Sequence, residues 1–159
     1  MMRKILVVMA IILLAGTTYA QRIDAVKAED INKWASSGDT VYIINFWATW
    51  CIPCVQELPE FNTLYQRYSG KPVKMLMVSL DFKEDFPGKL QMFAQRKRMQ
   101  PRVVWLSETD PDKFIPEIES SWQGSIPATL IIKPGKLRKF IEGQTSAEEV
   151  GKIVGGVMN

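Results

Sequence analysis

Apolar residues follow two rhythms along this chain, short unbroken runs and steps of three or four, and the rhythm changes at glycines and prolines. The run V-Y-I-I-N-F, Val41 to Phe46, is β-branched and aromatic and does not alternate, as expected of a strand buried on both faces. V-K-M-L-M-V-S-L, Val73 to Leu80, and A-T-L-I-I, Ala128 to Ile132, read the same way, and V-V-W-L, Val103 to Leu106, predicts a shorter strand. Between the first two runs, Val55, Leu58, Phe61, Leu64 and Tyr68 fall on one helical stripe, with Gly70 as its stop. Pro53 suits the first turn of that helix, whereas Pro59 lies inside it and predicts a kink. Further helices are predicted from Asp24 to Ser37, closed by Gly38-Asp39, around Lys89 to Lys97, and after Asp110-Pro111. Pro134 to Lys136 reads as a turn into a partner strand through Ile141. Thr145 or Ser146, each three residues before a glutamate (Glu148 and Glu149), gives a terminal helix a capping-box start.

Strands alternating with helices predict one α/β domain: a central, mostly parallel sheet with helices on both faces. The last two strands, joined by a short turn, must be antiparallel to each other. With 159 residues and no repeat or linker, a single domain accounts for the chain. The first twenty residues stand apart. Arg3 and Lys4 precede an apolar run from Ile5 to Ala15, and Thr18 and Ala20 occupy the −3 and −1 positions of a cut before Gln21. That is the plan of a secretory signal, too short in its apolar part for the ~20 residues of a membrane span. Residues 1–20 are therefore expected to be a signal peptide, or else an uncleaved N-terminal anchor, ahead of a domain at 21–159. Export would place the thiols where disulfides persist.

The net charge of +3 falls to near neutrality once Arg3 and Lys4 are set aside, so nothing marks a nucleic-acid face. Arg96-Lys97-Arg98 reads as a solvated helix end, and the eight methionines as core filler.

The two cysteines of N-F-W-A-T-W-C-I-P-C-V-Q-E-L-P are the only ones in the chain, and there is no histidine. Covalent haem attachment needs C-x-x-C-H, but Val55 follows Cys54. A structural zinc site needs about four Cys and His ligands, more than this chain has. A disulfide closing so small a loop restrains the unfolded chain very little. Redox chemistry remains. At a strand-to-helix junction Cys51 lands on a helix N-terminus, where free amide N–H groups and the helix dipole favour a thiolate. Its pKa should then fall below the free value of about 8.5. Cys51 is expected to be the nucleophile at the exposed end, and Cys54 the resolving thiol one turn deeper.

W-C-I-P-C after the strand V-Y-I-I-N-F-W resembles the thioredoxin superfamily. The longer string, between W-A-T-W and E-L-P, resembles the exported TlpA/ResA-like thiol–disulfide oxidoreductases in particular. The likeness runs over the whole domain in order, including an inserted helix and strand near residues 84 to 107. It implies a thioredoxin-like three-layer α/β/α sandwich with a central mixed sheet. It also implies that Pro127, in G-S-I-P-A-T-L with Ile126 before it, is a cis-proline facing the cysteine pair. Sequence alone reads Pro127 as an ordinary proline at the start of a strand. Ala128 departs from the threonine often found there. Trp50, Pro53, Ile126 and Pro127 are then the substrate-facing residues, with Trp47 and Trp50 packed around the pair, shielding Cys54 and forming part of the docking surface.

Glu57 lies three residues past Cys54, on the same helical face. In ResA-like proteins the matching glutamate is implied to exchange protons with the thiols, a role suited to a partly buried carboxyl. The alternative is an exposed glutamate in a surface pair. Asn45 stands where cytosolic thioredoxin has a buried acid. It cannot exchange a proton, which leaves that task to Glu57, or it is simply a strand amide satisfied by backbone groups.

The resemblance implies a periplasmic reductase of disulfides in other exported proteins, apocytochrome c among the possible clients. Ile52 cannot stabilise a thiolate as the histidine of DsbA-type oxidants does. A membrane thiol transporter would re-reduce the pair, and no cofactor or metal is expected; copper-delivery relatives of the fold use a histidine. The alternatives are an oxidant or isomerase on the same fold, or a binding module whose pair is idle. A peroxidase would need a P-x-x-x-T-x-x-C setting, which is absent.

Overall fold

In the computed structural model, which describes residues 21–158, six strands form one sheet in the order β1-β4-β3-β2-β5-β6. The strands are β1 (Asp24–Val26), β2 (Val41–Trp47), β3 (Val73–Ser79), β4 (Arg102–Leu106), β5 (Ala128–Lys133) and β6 (Leu137–Glu142). The helices are α1 (Ala28–Trp34), α2 (Ile52–Arg67), α3 (Gly88–Arg96), α4 (Pro111–Ile118) and α5 (Ala147–Met158). The signal segment expected at residues 1–20 lies outside the described residues.

Strands β1 to β4 are mutually parallel, while β5 runs antiparallel to β2 and β6 antiparallel to β5. Every residue of β2 is buried, because helices cover both faces of the sheet at its centre. Alternation along β2 sends Ile43 and Trp47 to one core and Ile44 and Phe46 to the other. The first core takes Leu58, Phe61 and Leu64 of α2, Leu90 of α3, and Val150 and Val154 of α5. The second takes Ile31 of α1 and Phe114 and Ile118 of α4. The architecture is therefore a three-layer α/β/α sandwich with a mixed sheet, and α3 with β4 forms the inserted helix and strand.

One expectation fails at the N-terminal end. Asp24 to Ser37 is not a single helix: Asp24–Val26 pairs with Val104–Leu106 as an edge strand, and α1 begins only at Ala28. Three residues are too short to carry a strand rhythm, so tertiary pairing decides there. The start of α1 is then closed by acids, Asp30 accepting from the Lys27 N–H at 2.9 Å and Glu108 from the Ala28 N–H at 2.6 Å. Helix α2 continues through Pro59 to Arg67. At α5 the cap is Ser146, whose Oγ accepts from the Glu149 N–H at 3.2 Å, while Thr145 donates its hydroxyl to the Glu149 carboxylate at 2.9 Å. Arg96, Lys97 and Arg98 are all exposed at the end of α3.

Two features position the site. β2 delivers Trp47 to the carboxyl end of the parallel strands, and the loop 48–50 turns directly into α2. β5 begins beside that end, with Ala128 opposite Phe46, so the segment before β5 arrives next to the cysteines.

Candidate active site

Cys51 is the N-cap residue of α2, with extended backbone, and its Sγ accepts from the Cys54 N–H at 3.3 Å. The two sulfurs are bonded at 2.05 Å, so the structure holds the oxidised pair. Pro53 sits in the first helical turn, where its missing N–H has no helical acceptor to lose. The Cys54 N–H of that turn points toward Sγ, an arrangement that favours a thiolate once the bond is reduced.

Cys51 is less open than expected. Only 6% of it is exposed, against none of Cys54. The cover comes from the segment before β5: the Ile126 carbonyl oxygen lies 3.7 Å from Cys51 Sγ, and the Ile126–Pro127 peptide is cis. Pro127 is buried, and its carbonyl accepts from the Gly143 N–H at 2.8 Å, which ties this segment to the end of β6.

The tryptophans divide. Trp47 is fully buried in the core shared with both cysteines, its ring 5.8 Å from that of Phe93, so it forms no docking surface. As the last residue of an all-buried strand, it has no exposed face to offer a client. Trp50 is 54% exposed and points away from that core.

Glu57 is buried, 3% exposed, and not a surface pair. One carboxylate oxygen accepts from Asn45 Nδ2 at 2.8 Å and the other from the Thr145 N–H at 3.0 Å. Burial raises its pKa above the ordinary carboxylate value, and these two hydrogen bonds offset only part of that rise. Asn45 also donates to Thr129 Oγ1 at 3.1 Å. Its amide orientation follows from Glu57, since the reverse would set two oxygens against each other. Asn45 thus serves a side-chain network rather than the backbone alone. The β6–α5 loop closes the group from the outside, with Gln144 Nε2 donating to the Pro53 carbonyl at 3.0 Å.

A second buried acid escaped the sequence reading. Asp81, 2% exposed and just past β3, accepts from the Thr49 N–H at 3.0 Å, the Thr49 hydroxyl at 2.5 Å and the Ser79 hydroxyl at 2.7 Å. Its carbonyl accepts from the Trp105 indole N–H at 2.8 Å. This acid therefore holds the loop that carries Cys51. The one signal for it in the sequence is an aspartate directly after an apolar run.

A buried cysteine pair on a helix N-terminus, facing a cis-proline just before the neighbouring antiparallel strand, defines a thioredoxin-fold protein. Residues 20–140 match the AhpC/TSA family, and the chain belongs to that family. It is similar to the thiol-disulfide oxidoreductase ResA of Geobacillus thermodenitrificans, 31% identical over 108 residues that make up 67% of this chain and 57% of the relative. A thiol-disulfide oxidoreductase ResA of Bacillus thuringiensis is 45% identical over 108 residues, with the same two shares of 67% and 57%. The chain thus spans little more than half the length of these relatives. Among solved structures, the thioredoxin-related protein from Neisseria meningitidis serogroup B superposes with a TM-score of 0.65. It is 22% identical, with 77% of this chain and 88% of that one covered, and the likeness is one of fold.

Proposed function

We propose that the chain is an exported thiol–disulfide oxidoreductase that reduces disulfides in other exported proteins. The observation that carries this reading is Cys51 at the N-cap of α2, with the buried Cys54 bonded to it and the Cys54 N–H aimed at its sulfur. In the reduced protein, the Cys51 thiolate attacks one sulfur of a client disulfide, and the other client sulfur leaves as a thiolate. The Cys54 thiolate then attacks Cys51 in the mixed disulfide and releases the second client thiolate. Two electrons pass to the client, whose two thiolates take up protons from solvent; the Cys51 proton has gone to solvent and the Cys54 proton to a local acceptor, and the Cys51–Cys54 disulfide remains.

Cys54 is enclosed, so its proton needs a local acceptor. Glu57, one helical turn further on, buried and with a raised pKa, is suited to take that proton when Cys54 attacks and to return it when the pair is next reduced. Asn45 and the Thr145 N–H fix its orientation. Trp50, Pro53, Ile126 and Pro127 surround the approach to Cys51, and the client lies across them. A membrane dithiol carrier re-reduces the pair, and the segment 1–20 carries the protein to the periplasm or anchors it there. Apocytochrome c, with its paired cysteines, is a client of suitable chemistry.

The test uses single-cysteine variants. Reduced Cys54→Ser protein mixed with a peptide disulfide should accumulate a mixed disulfide through Cys51, visible by mass, while Cys51→Ser should accumulate none. No adduct with Cys54→Ser would refute the exchange reading.

A further inference from the structure

Trp50 and Phe82 are 54% and 61% exposed, yet their rings stack with centroids 6.0 Å apart and planes at 23°. Single exposed apolar side chains are ordinary. These two are paired, and they stand at the mouth of a cleft of about 250 Å³ whose floor is Leu106, Phe114 and Trp122 and whose far wall is Ile126. The pair is also held in place. Asp81, the residue before Phe82, accepts from both the N–H and the hydroxyl of Thr49, the residue before Trp50. One step earlier, the Leu80 N–H donates to the Trp47 carbonyl at 2.8 Å. The ends of β2 and β3 are thereby latched together, and the two rings are presented as one unit.

We propose that Trp50 and Phe82 form the mouth of a pocket that receives one large apolar side chain of the client polypeptide, close in sequence to the client's reacting cysteine. The proposal rests on the exchange reading above and names the client feature that reading leaves open. Position fixes the occupant first. Trp50 precedes Cys51 and the Ile126 carbonyl lies 3.7 Å from Cys51 Sγ, so a client sulfur brought up to Cys51 lays its flanking residues over this cleft. Size comes second: about 250 Å³ lies below the ~300–1,000 Å³ of small-molecule and cofactor sites and suits one side chain such as Phe, Leu or Met. Chemistry comes third. The acids at the cleft are already engaged, Asp81 by Thr49 and Ser79 and Glu108 by the Ala28 N–H, which leaves apolar surface as what the cleft offers. Phe82 is thus a specificity-determining residue contributed by the loop after β3, outside the cysteine motif.

The test uses nine-residue Gly/Ser peptides with a central cysteine held as a mixed disulfide with glutathione. One peptide carries no apolar residue, and the others carry a single Phe two or three positions to either side of the cysteine. With the reduced full chain, kcat/KM for the best Phe peptide should exceed that of the all-polar peptide by ~10-fold or more, the discrimination an apolar pocket provides. In Phe82→Ser the ratio should fall below about 2, and in Phe82→Leu most of it should return. Equal rates in the parent protein, or a ratio that survives Phe82→Ser, would overturn the proposal. Should no peptide be reduced, the exchange reading fails instead. The same peptides with Ser for Cys, titrated into oxidised protein by calorimetry, then decide the pocket: Phe peptides binding ~10-fold tighter, with loss in Phe82→Ser, uphold it. No difference in binding overturns it.

Discussion

Replacing Asp81 with alanine leaves three donors facing a methyl group: the Thr49 N–H, the Thr49 hydroxyl and the Ser79 hydroxyl. Ser79 is fully buried, so its hydroxyl finds no water, and an unpaired buried donor costs about 1–3 kcal/mol. Thr49 is only half-buried and recovers part of its loss from solvent. Removing a buried carboxylate also returns some desolvation energy. The balance is about 2–4 kcal/mol of lost stability, a large share of the ~5–15 kcal/mol of a typical domain. Urea unfolding of the oxidised protein by linear extrapolation reads this directly, and the melting temperature should fall by roughly 10 °C. Thr49→Val with Asp81→Ala in a double-mutant cycle should return a coupling of about 1–2 kcal/mol. An Asp81→Ala protein within about 0.5 kcal/mol of the parent would refute the view that this acid anchors the cysteine loop.

Glu57→Gln tests the buried carboxyl. Its folded-state pKa is raised by burial, so between the unfolded value of about 4.3 and the folded one the native state binds the extra proton. Parent stability therefore falls as pH rises through that window, and Glu57→Gln should gain on the parent over the same range. A stability difference that is flat with pH would contradict the shift. The same variant should slow release of the mixed disulfide by ~10²-fold in stopped-flow, with formation through Cys51 little changed. In α5, Gly151→Ala drives its Cβ into an Arg67 guanidinium nitrogen that donates to the Ala147 carbonyl at 2.9 Å. Gly155 has nothing within 4 Å of the added carbon. Thermal melts should find Gly155→Ala more stable by about 0.5–1 kcal/mol and Gly151→Ala level or less stable.

The sheet centre was legible because it is buried on both faces: β2, β3 and β5 each appear as apolar runs with no competing rhythm. The cysteine motif placed its own helix, and the family likeness placed the Ile126–Pro127 segment against it. What was hidden depended on distant pairing. β1 is three residues long and exists through β4, 80 positions away. Asp81 has no local mark beyond an acid after a strand, because its partner Thr49 lies 32 residues back. The cover on Cys51 comes from 75 residues downstream, and exposure read from helix position alone could not include it. Phe82 was overlooked because its partner, Trp50, belongs to another loop.

The reduction potential of the Cys51–Cys54 couple tests the central claim most directly. Protein equilibrated in defined thiol buffers, with free thiols trapped and counted, should show a reversible two-electron couple near the roughly −270 mV of thioredoxin. A value near the roughly −120 mV of DsbA would make the protein an oxidant and reverse the direction of electron flow. A pair that does not exchange at all would contradict the account.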